Sequence, residues 1–416
     1  MKITFLVERP TQFEAPFFRH AAADPAHQLR VLFTGADPAE PVFDPELGHP
    51  VSWGMDLLGG YPHAVAPAAG RRRWLAGQLR RGSCDLLIAN GYTRRDYLLA
   101  AWQARRAGIA TALRLDSVIW EDDGDDGDIA RRRLKRLLFA GFLLHLFDLF
   151  LGVGSGTLDY LAACGVPAAR CGLFPYAVDV EHFRAGARRG AAAREAARRR
   201  LGIPAAARVV LAVAKLNPRE APWDLLRALP ALPPETWLLI AGDGPQRGEM
   251  ERLAGEMAGG VATGGSRGNG ESAGNEGRAG NGKSAQRAGP VGQVRFLGYV
   301  PYAELPALYA VADLFVHAAQ EERWGVSVAE AMACGLPVVA SSRVGAGRDL
   351  VAPGRNGWSY RVGDAAELAQ RAGAALALDR GAVAAANREI LSHWDYAASW
   401  RHLLDAGGRI VRGSAA

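Results

Sequence analysis

Short apolar runs recur along this chain with helical stretches between them, and that alternation restricts the fold more than any other property of the sequence. Ile3 to Val7, Leu29 to Phe33, Asp85 to Ala89, Thr111 to Leu115 and Leu149 to Val153 form one series. A second runs through Val209 to Ala214, Trp237 to Ala241, Val294 to Leu297, Asp313 to His317, Pro337 to Ala340 and Trp358 to Val362. Strands alternating with helices specify a parallel sheet covered by helices. Two such series in 416 residues, at roughly 150 residues per domain, predict an α/β chain of two Rossmann-like domains. In open α/β sheets ligands bind beyond the carboxyl ends of the strands, and in a two-domain arrangement those edges face each other across a central cleft.

Composition narrows the class further. A hydrophobic content of 49% suits a globular protein with buried cores. The formal charge of +6 favours anionic partners such as nucleotide-sugars, anionic membranes or nucleic acid. No aromatic interleaving or recognition motif favours nucleic acid. The opening Met1 to Val7 turns polar at Glu8-Arg9-Pro10, too early for a signal-peptide core, and reads as a first buried strand. Cys84, Cys164, Cys171 and Cys334 show no metal-ligand spacing, which suits reduced thiols in a cytoplasmic protein. The most apolar stretch, Leu137 to Val153, is interrupted by His145 and Asp148 and reads as a buried helix running into a strand.

Function is most legible between Gln320 and Ala340. A loop carries Glu322, a glycine turn follows at Gly325, Val326 and Ser327, and a helix carrying Glu330 leads into a buried strand. A helix N-terminus has unsatisfied N–H groups and partial positive charge, so the turn suits a phosphate. Glu322 repels that phosphate and should address uncharged hydroxyls beside it. Two carboxylates around an anion site describe a ligand with phosphate in the middle and polyols on both sides, which a nucleotide-sugar satisfies.

Glu322-x7-Glu330 followed by Ala-Met-Ala-Cys-Gly-x-Pro-Val-Val-Ala resembles the signature of retaining glycosyltransferases of the GT-B fold, in the GT4-like group. The resemblance implies that Glu322 contacts the donor sugar and Glu330 the nucleotide ribose. In the loop Ala214 to Leu229, Lys215 and Arg219 match positions whose cations neutralise the diphosphate, with Glu220 standing where the family commonly has Lys. Ile240-Ala-Gly-Asp-Gly-Pro245 resembles the family's G-x-G-P element, through Gly242 and Gly244. Phe296 to Val300, with Tyr299 and Val300, would line the base pocket. No cofactor is implied, and no metal is required if these groups carry the charge.

The acceptor half carries less. Asp116 lies after a strand where many relatives have an active-site His; it can contact the donor sugar, act as a base toward the acceptor, or serve as an ordinary turn former. The D-x-D patterns in Glu121 to Asp128 read as a solvated acidic loop. Arg131 to Arg136 reads as a solvated basic helix face; contact with an anionic membrane is the alternative, and it would bring a cytoplasmic protein to the inner face of that membrane. Pro175 to Phe183 resembles the interdomain crossover, giving residues 1–178 as an acceptor-side domain and 179–389 as the nucleotide-sugar domain, with an Arg/Ala-rich helix from about Ala185 to Arg200. Residues 258–290, rich in Gly, Ser and Asn, read as a flexible insertion. By resemblance, residues 390–416 would return as a helix against the first domain. The implied activity is transfer of a sugar, with retention, to a saccharide or lipid-linked acceptor in bacterial surface-glycan assembly. A nucleotide-sugar epimerase and a non-catalytic donor-binding subunit are the competing readings.

Overall fold

The computed structural model describes residues 1–35, 42–44, 49–51, 54–120, 134–188, 190–259 and 293–413. The acidic D-x-D stretch, Arg131 to Arg133 and nearly all of the Gly/Ser-rich segment lie outside those residues.

Each series of apolar runs forms one parallel sheet. The first has strand order β5-β2-β1-β6-β7-β8-β9, from β1 (Lys2–Val7), β2 (Gln28–Phe33), β5 (His63–Val65), β6 (Leu86–Asn90), β7 (Ala110–Leu115), β8 (Leu149–Gly152) and β9 (Cys171–Leu173). The second has the order β12-β11-β10-β13-β14-β15, from β10 (Arg208–Val213), β11 (Thr236–Ala241), β12 (Val294–Gly298), β13 (Leu314–His317), β14 (Val338–Ser341) and β15 (Gly357–Tyr360). A separate hairpin pairs β3 (Val42–Asp44) with β4 (His49–Val51). Strands buried on both faces read as near-continuous apolar runs, as β8 does along its whole length. The small edge strands β5 and β9, with His63, Cys171 and Gly172 in them, have no such run and escaped the sequence reading.

Each sheet packs between two apolar layers. In the first, Leu6, Leu87, Leu113 and Phe150 face one cluster, while Ile3, Phe5, Ile88 and Leu151 face the other. The second cluster also contains Trp400, Leu403 and Ala406. These belong to the helix Tyr396–Gly413, which follows the second sheet in sequence yet packs on the first. Trp400 Nε1 donates to Asp24 at 2.8 Å, giving the one polar atom of that ring a partner.

Two expectations need correction. The apolar stretch before β8 is only half buried: Phe139, Leu143 and Leu146 point inward, but Leu137 is 70% and Phe142 45% exposed. Its middle, Phe139–Leu143, is a π-helix. The Arg/Ala-rich helix is two helices, Val180–Ala187 and Gly190–Arg200. Gly190, where the second begins, has φ of +83°, a left-handed conformation that a continuous helix does not contain. No helix among the described residues is long and apolar enough to cross a membrane.

The strand order positions the site. In the second sheet β10 has β11 on one side and β13 on the other, so connections leave β10 and β13 in opposite directions and open a crevice between their carboxyl ends. Lys215 follows β10 and Glu322 follows β13. The two loops are then stitched together, because the Arg219 carbonyl accepts from the Gln320 and Glu321 amides at 2.7 and 3.1 Å.

Candidate functional site

A cavity of about 230 Å³ occupies that crevice, lined by Lys215, Glu220, Gly242, Asp243, Tyr299, Val300, His317, Glu322, Gly325, Val326, Ser327 and Glu330, with Gln12 reaching it from the first domain. Nine of the twelve residues singled out from sequence therefore share one wall-to-wall site. Asp116, Arg219 and Gly244 do not line it. A larger groove of about 560 Å³ lies under the C-terminal helix, and none of the singled-out residues belongs to it.

At the centre is the helix Val326–Ala333. Gly325 caps it with φ of +94° and no side chain bonds its first amides, so those amides remain directed at the cavity. Gly325 is required twice over: its φ is left-handed, and a Cβ there would sit 3.0 Å from His317 Nε2. Glu330, one turn along, is 3% exposed. The Tyr309 hydroxyl donates to its Oε2 at 2.8 Å, fixing one oxygen and leaving the carboxylate edge toward the cavity. Burial pushes its pKa up to about 7.

Glu322 is held from both sides by backbone. Its amide donates to the Arg343 carbonyl at 2.8 Å, and its carbonyl accepts from Gly345 at 2.9 Å. Its carboxylate accepts from the Trp324 amide at 3.3 Å. Burial, with the nearby Glu220 carboxylate adding repulsion, raises its pKa to about 7. Both signature carboxylates are thus poised near neutrality, and a ligand offering hydroxyl donors would favour their charged forms.

On the cation side, Lys215 and Arg219 take different positions. Lys215 lines the cavity, but the Arg219 guanidinium bonds Glu220 at 2.8 Å and is 42% exposed. Asn217 shapes this loop by accepting from the amides of Arg219 and Glu220 at 2.9 and 2.8 Å. The glycines of the next loop have a packing cause: a Cβ on Gly242 would lie 1.8 Å from the Ala214 carbonyl oxygen, and one on Gly244 2.6 Å from that of Leu216. They let this loop lie directly against the Lys215 loop.

Asp116 sits on the opposite wall of the cleft, where Arg323, next to Glu322, pairs with it at 3.3 Å. Other groups clasp the domains. Trp324 Nε1 donates to the Tyr176 carbonyl at 3.1 Å, and the Asp349 carboxylate accepts from the Ser155 amide at 2.8 Å. Beneath the first domain's edge, Glu14 accepts from Asn90 at 2.9 Å and from Arg114 at 3.1 Å. The Arg114 guanidinium lies 4.3 and 4.2 Å from the Phe174 and Tyr176 ring centroids.

Sequence reasoning missed Gln12, Asp243, His317 and the Glu14–Arg114 pair. His317 stands one strand-length before Glu322 inside a run read only as a buried strand. A histidine ending such a run was the available signal.

Two parallel sheets whose carboxyl edges meet at one cleft, with the anion-ready helix on the second, define the GT-B class of two-domain α/β proteins. Residues 273–388 match the family described as Glycosyl transferases group 1. HepE of Anabaena, solved in complex with UDP, shares the fold with a TM-score of 0.68 at 18% identity, covering 98% of this chain and 100% of that one. The chain is 35% identical over 180 residues to D-inositol 3-phosphate glycosyltransferase 2 of Catenulispora acidiphila, covering 43% of this chain and 36% of that protein. A stretch of 51 residues is 51% identical to O-antigen chain mannosyltransferase B of Escherichia coli, 12% of this chain and 13% of that one. The chain spans about a third of the length of the first of these curated relatives.

Proposed function

We propose that the protein is a glycosyltransferase that moves a sugar from a nucleotide-sugar, with retention and without a metal, onto a hydroxyl of a saccharide or lipid-linked acceptor in surface-glycan biosynthesis. The observation that carries this reading is the convergence of Lys215, the uncapped amides after Gly325, and the buried carboxylates Glu322 and Glu330 on one cavity. In this reading Glu330 accepts from the ribose hydroxyls, Tyr299 and Val300 face the base, and Lys215 with the helix amides holds the diphosphate. Glu322 orients the sugar. As the bond to the sugar breaks, negative charge grows on the diphosphate, and preorganised donors aimed there lower the barrier. Residues 1–178 serve the acceptor, 179–389 the donor, and 390–416 brace the first domain.

Asp116, facing Arg323 across the cleft, is the carboxylate on the acceptor side. The exposed face of Leu134, Leu137, Leu138 and Phe142, beside Lys135 and Arg136, suits contact with an anionic membrane carrying the acceptor.

A thermal-shift panel of UDP-, GDP-, ADP- and TDP-sugars tests the donor site, because a ligand bound to the folded state raises its stability. One base is expected to raise the Tm, and Glu330→Ala to abolish most of that rise. A flat panel, or a Glu330→Ala variant that responds like the wild type, contradicts the assignment. An epimerase would instead rearrange the donor with no acceptor present.

A further inference from the structure

His317 closes the floor of the cavity. It ends β13, is 4% exposed, and lines the cavity together with Gly325, Ser327 and Lys215. Its Nδ1 is sealed from solvent with no hydrogen-bond partner among the described residues. Its other edge, Nε2 and Cδ2, faces the glycine turn, 3.0 and 3.1 Å from the point a Cβ on Gly325 would occupy. With Nδ1 sealed and unpaired, the ring's remaining capacity for a hydrogen bond lies at its Nε2 edge.

The surroundings decide what that edge can do. Burial lowers the His317 pKa to about 4, so the ring is neutral and carries one proton. An imidazole proton resides where an acceptor is available, and only the Nε2 edge opens on a place where an anion would sit. Gly325 is the end of the turn nearer Glu322, whereas Glu330 lies farther along the helix, so His317 stands at the sugar-proximal end of the phosphate cradle.

We infer that His317 donates its Nε2 proton to an oxygen of the phosphate that is bonded to the sugar, supplying a neutral donor beneath the glycine turn. This rests on the donor-site reading above. A neutral donor at this point binds the diphosphate without adding a second buried cation, and it strengthens as the departing diphosphate gains charge.

The test compares nucleoside diphosphates with their monophosphates, because only the former carry the second phosphate. UDP, GDP, ADP and TDP and the four monophosphates are titrated into wild type, and the preferred base is carried to His317→Ala. The diphosphate is expected to bind about tenfold or more weakly, as a lost hydrogen bond to a charged group does, with the monophosphate changed less than about twofold. Equal losses for both ligands, or no loss for either, overturn the inference while leaving the donor site standing. Wild type that binds none of the eight nucleotides overturns the donor site and this inference together. If the alanine variant does not fold, His317→Gln and His317→Leu give the same comparison. Gln is expected to retain the preference for diphosphate and Leu to lose it, and equal preferences overturn the inference.

Discussion

Replacing Glu330 by glutamine separates what this carboxylate costs the fold from what it gives the ligand. Glu330 is almost fully buried, with the Tyr309 hydroxyl as its hydrogen-bond donor. The distance between about 7 and its ordinary value of 4.5 corresponds to about 3 kcal/mol. The sign follows from which state ionises first. Below pH 4.5 the carboxyl is protonated in both the folded and unfolded chain. As pH rises toward 7 the unfolded chain releases its proton first, so stability falls, and above pH 7 the loss is complete. Glutamine keeps the acceptor for Tyr309 and carries no charge at any pH. Glu330→Gln is therefore expected to be more stable than wild type by up to about 3 kcal/mol at pH 8.5, with the difference vanishing near pH 4.5. Binding should move the other way, because an ionised carboxylate accepts two ribose hydroxyls more strongly than an amide does. Between pH 6 and 8 the ionised fraction of a group titrating at about 7 rises about tenfold, and wild-type affinity for a nucleotide-sugar should rise with it. Thermal denaturation across pH, with and without the nucleotide-sugar, reads both effects. A variant no more stable than wild type at pH 8.5, or one whose affinity rises with pH as steeply as the wild type's, refutes the reasoning.

Three further outcomes follow from other parts of the molecule. Lys215→Ala should weaken nucleoside diphosphate binding by about 1.5–3 kcal/mol, measured by titration calorimetry, with the loss shrinking as salt is raised; an unchanged affinity removes Lys215 from the diphosphate site. Glu14→Ala leaves the Arg114 guanidinium buried without its carboxylate and should cost about 3–5 kcal/mol in denaturant unfolding, far more than a surface substitution. Leu137→Ser together with Phe142→Ser, both on the exposed apolar face, should reduce sedimentation with anionic vesicles by about tenfold, consistent with losing part of about 1.5–3 kcal/mol per side chain, while leaving nucleotide binding intact. Equal sedimentation of variant and wild type argues against that face.

Most of the fold was legible because parallel strands buried on both sides read as near-continuous apolar runs. Val209 to Ala214 and Pro337 to Ala340 could be little else. The same rule explains the misses. β5 and β9 are three-residue edges that never needed an apolar run, and the Leu137 stretch is apolar on a face that the fold leaves exposed. Apolarity reports what can be buried, not what is. At the site, Lys215, Glu322 and Glu330 could be read because loops and helix starts follow strands in fixed order. Arg219 could not be placed, since its direction depends on Glu220 and Asn217 bonding within the loop. Gly242 and Gly244 also make room for the Ala214 and Leu216 carbonyls, a packing cause that no local pattern carries. His317 and the Glu14–Arg114 pair depend on contacts between segments far apart in sequence, which no local pattern carries.

The central claim is tested most directly by following one reaction by proton NMR, with the nucleotide-sugar the protein selects and a panel of saccharide and lipid-linked acceptors. The predicted result is release of nucleoside diphosphate only with an acceptor present, and a new glycosidic bond of the donor's own anomeric configuration. A donor sugar that rearranges with no acceptor, or a product of inverted configuration, contradicts the account.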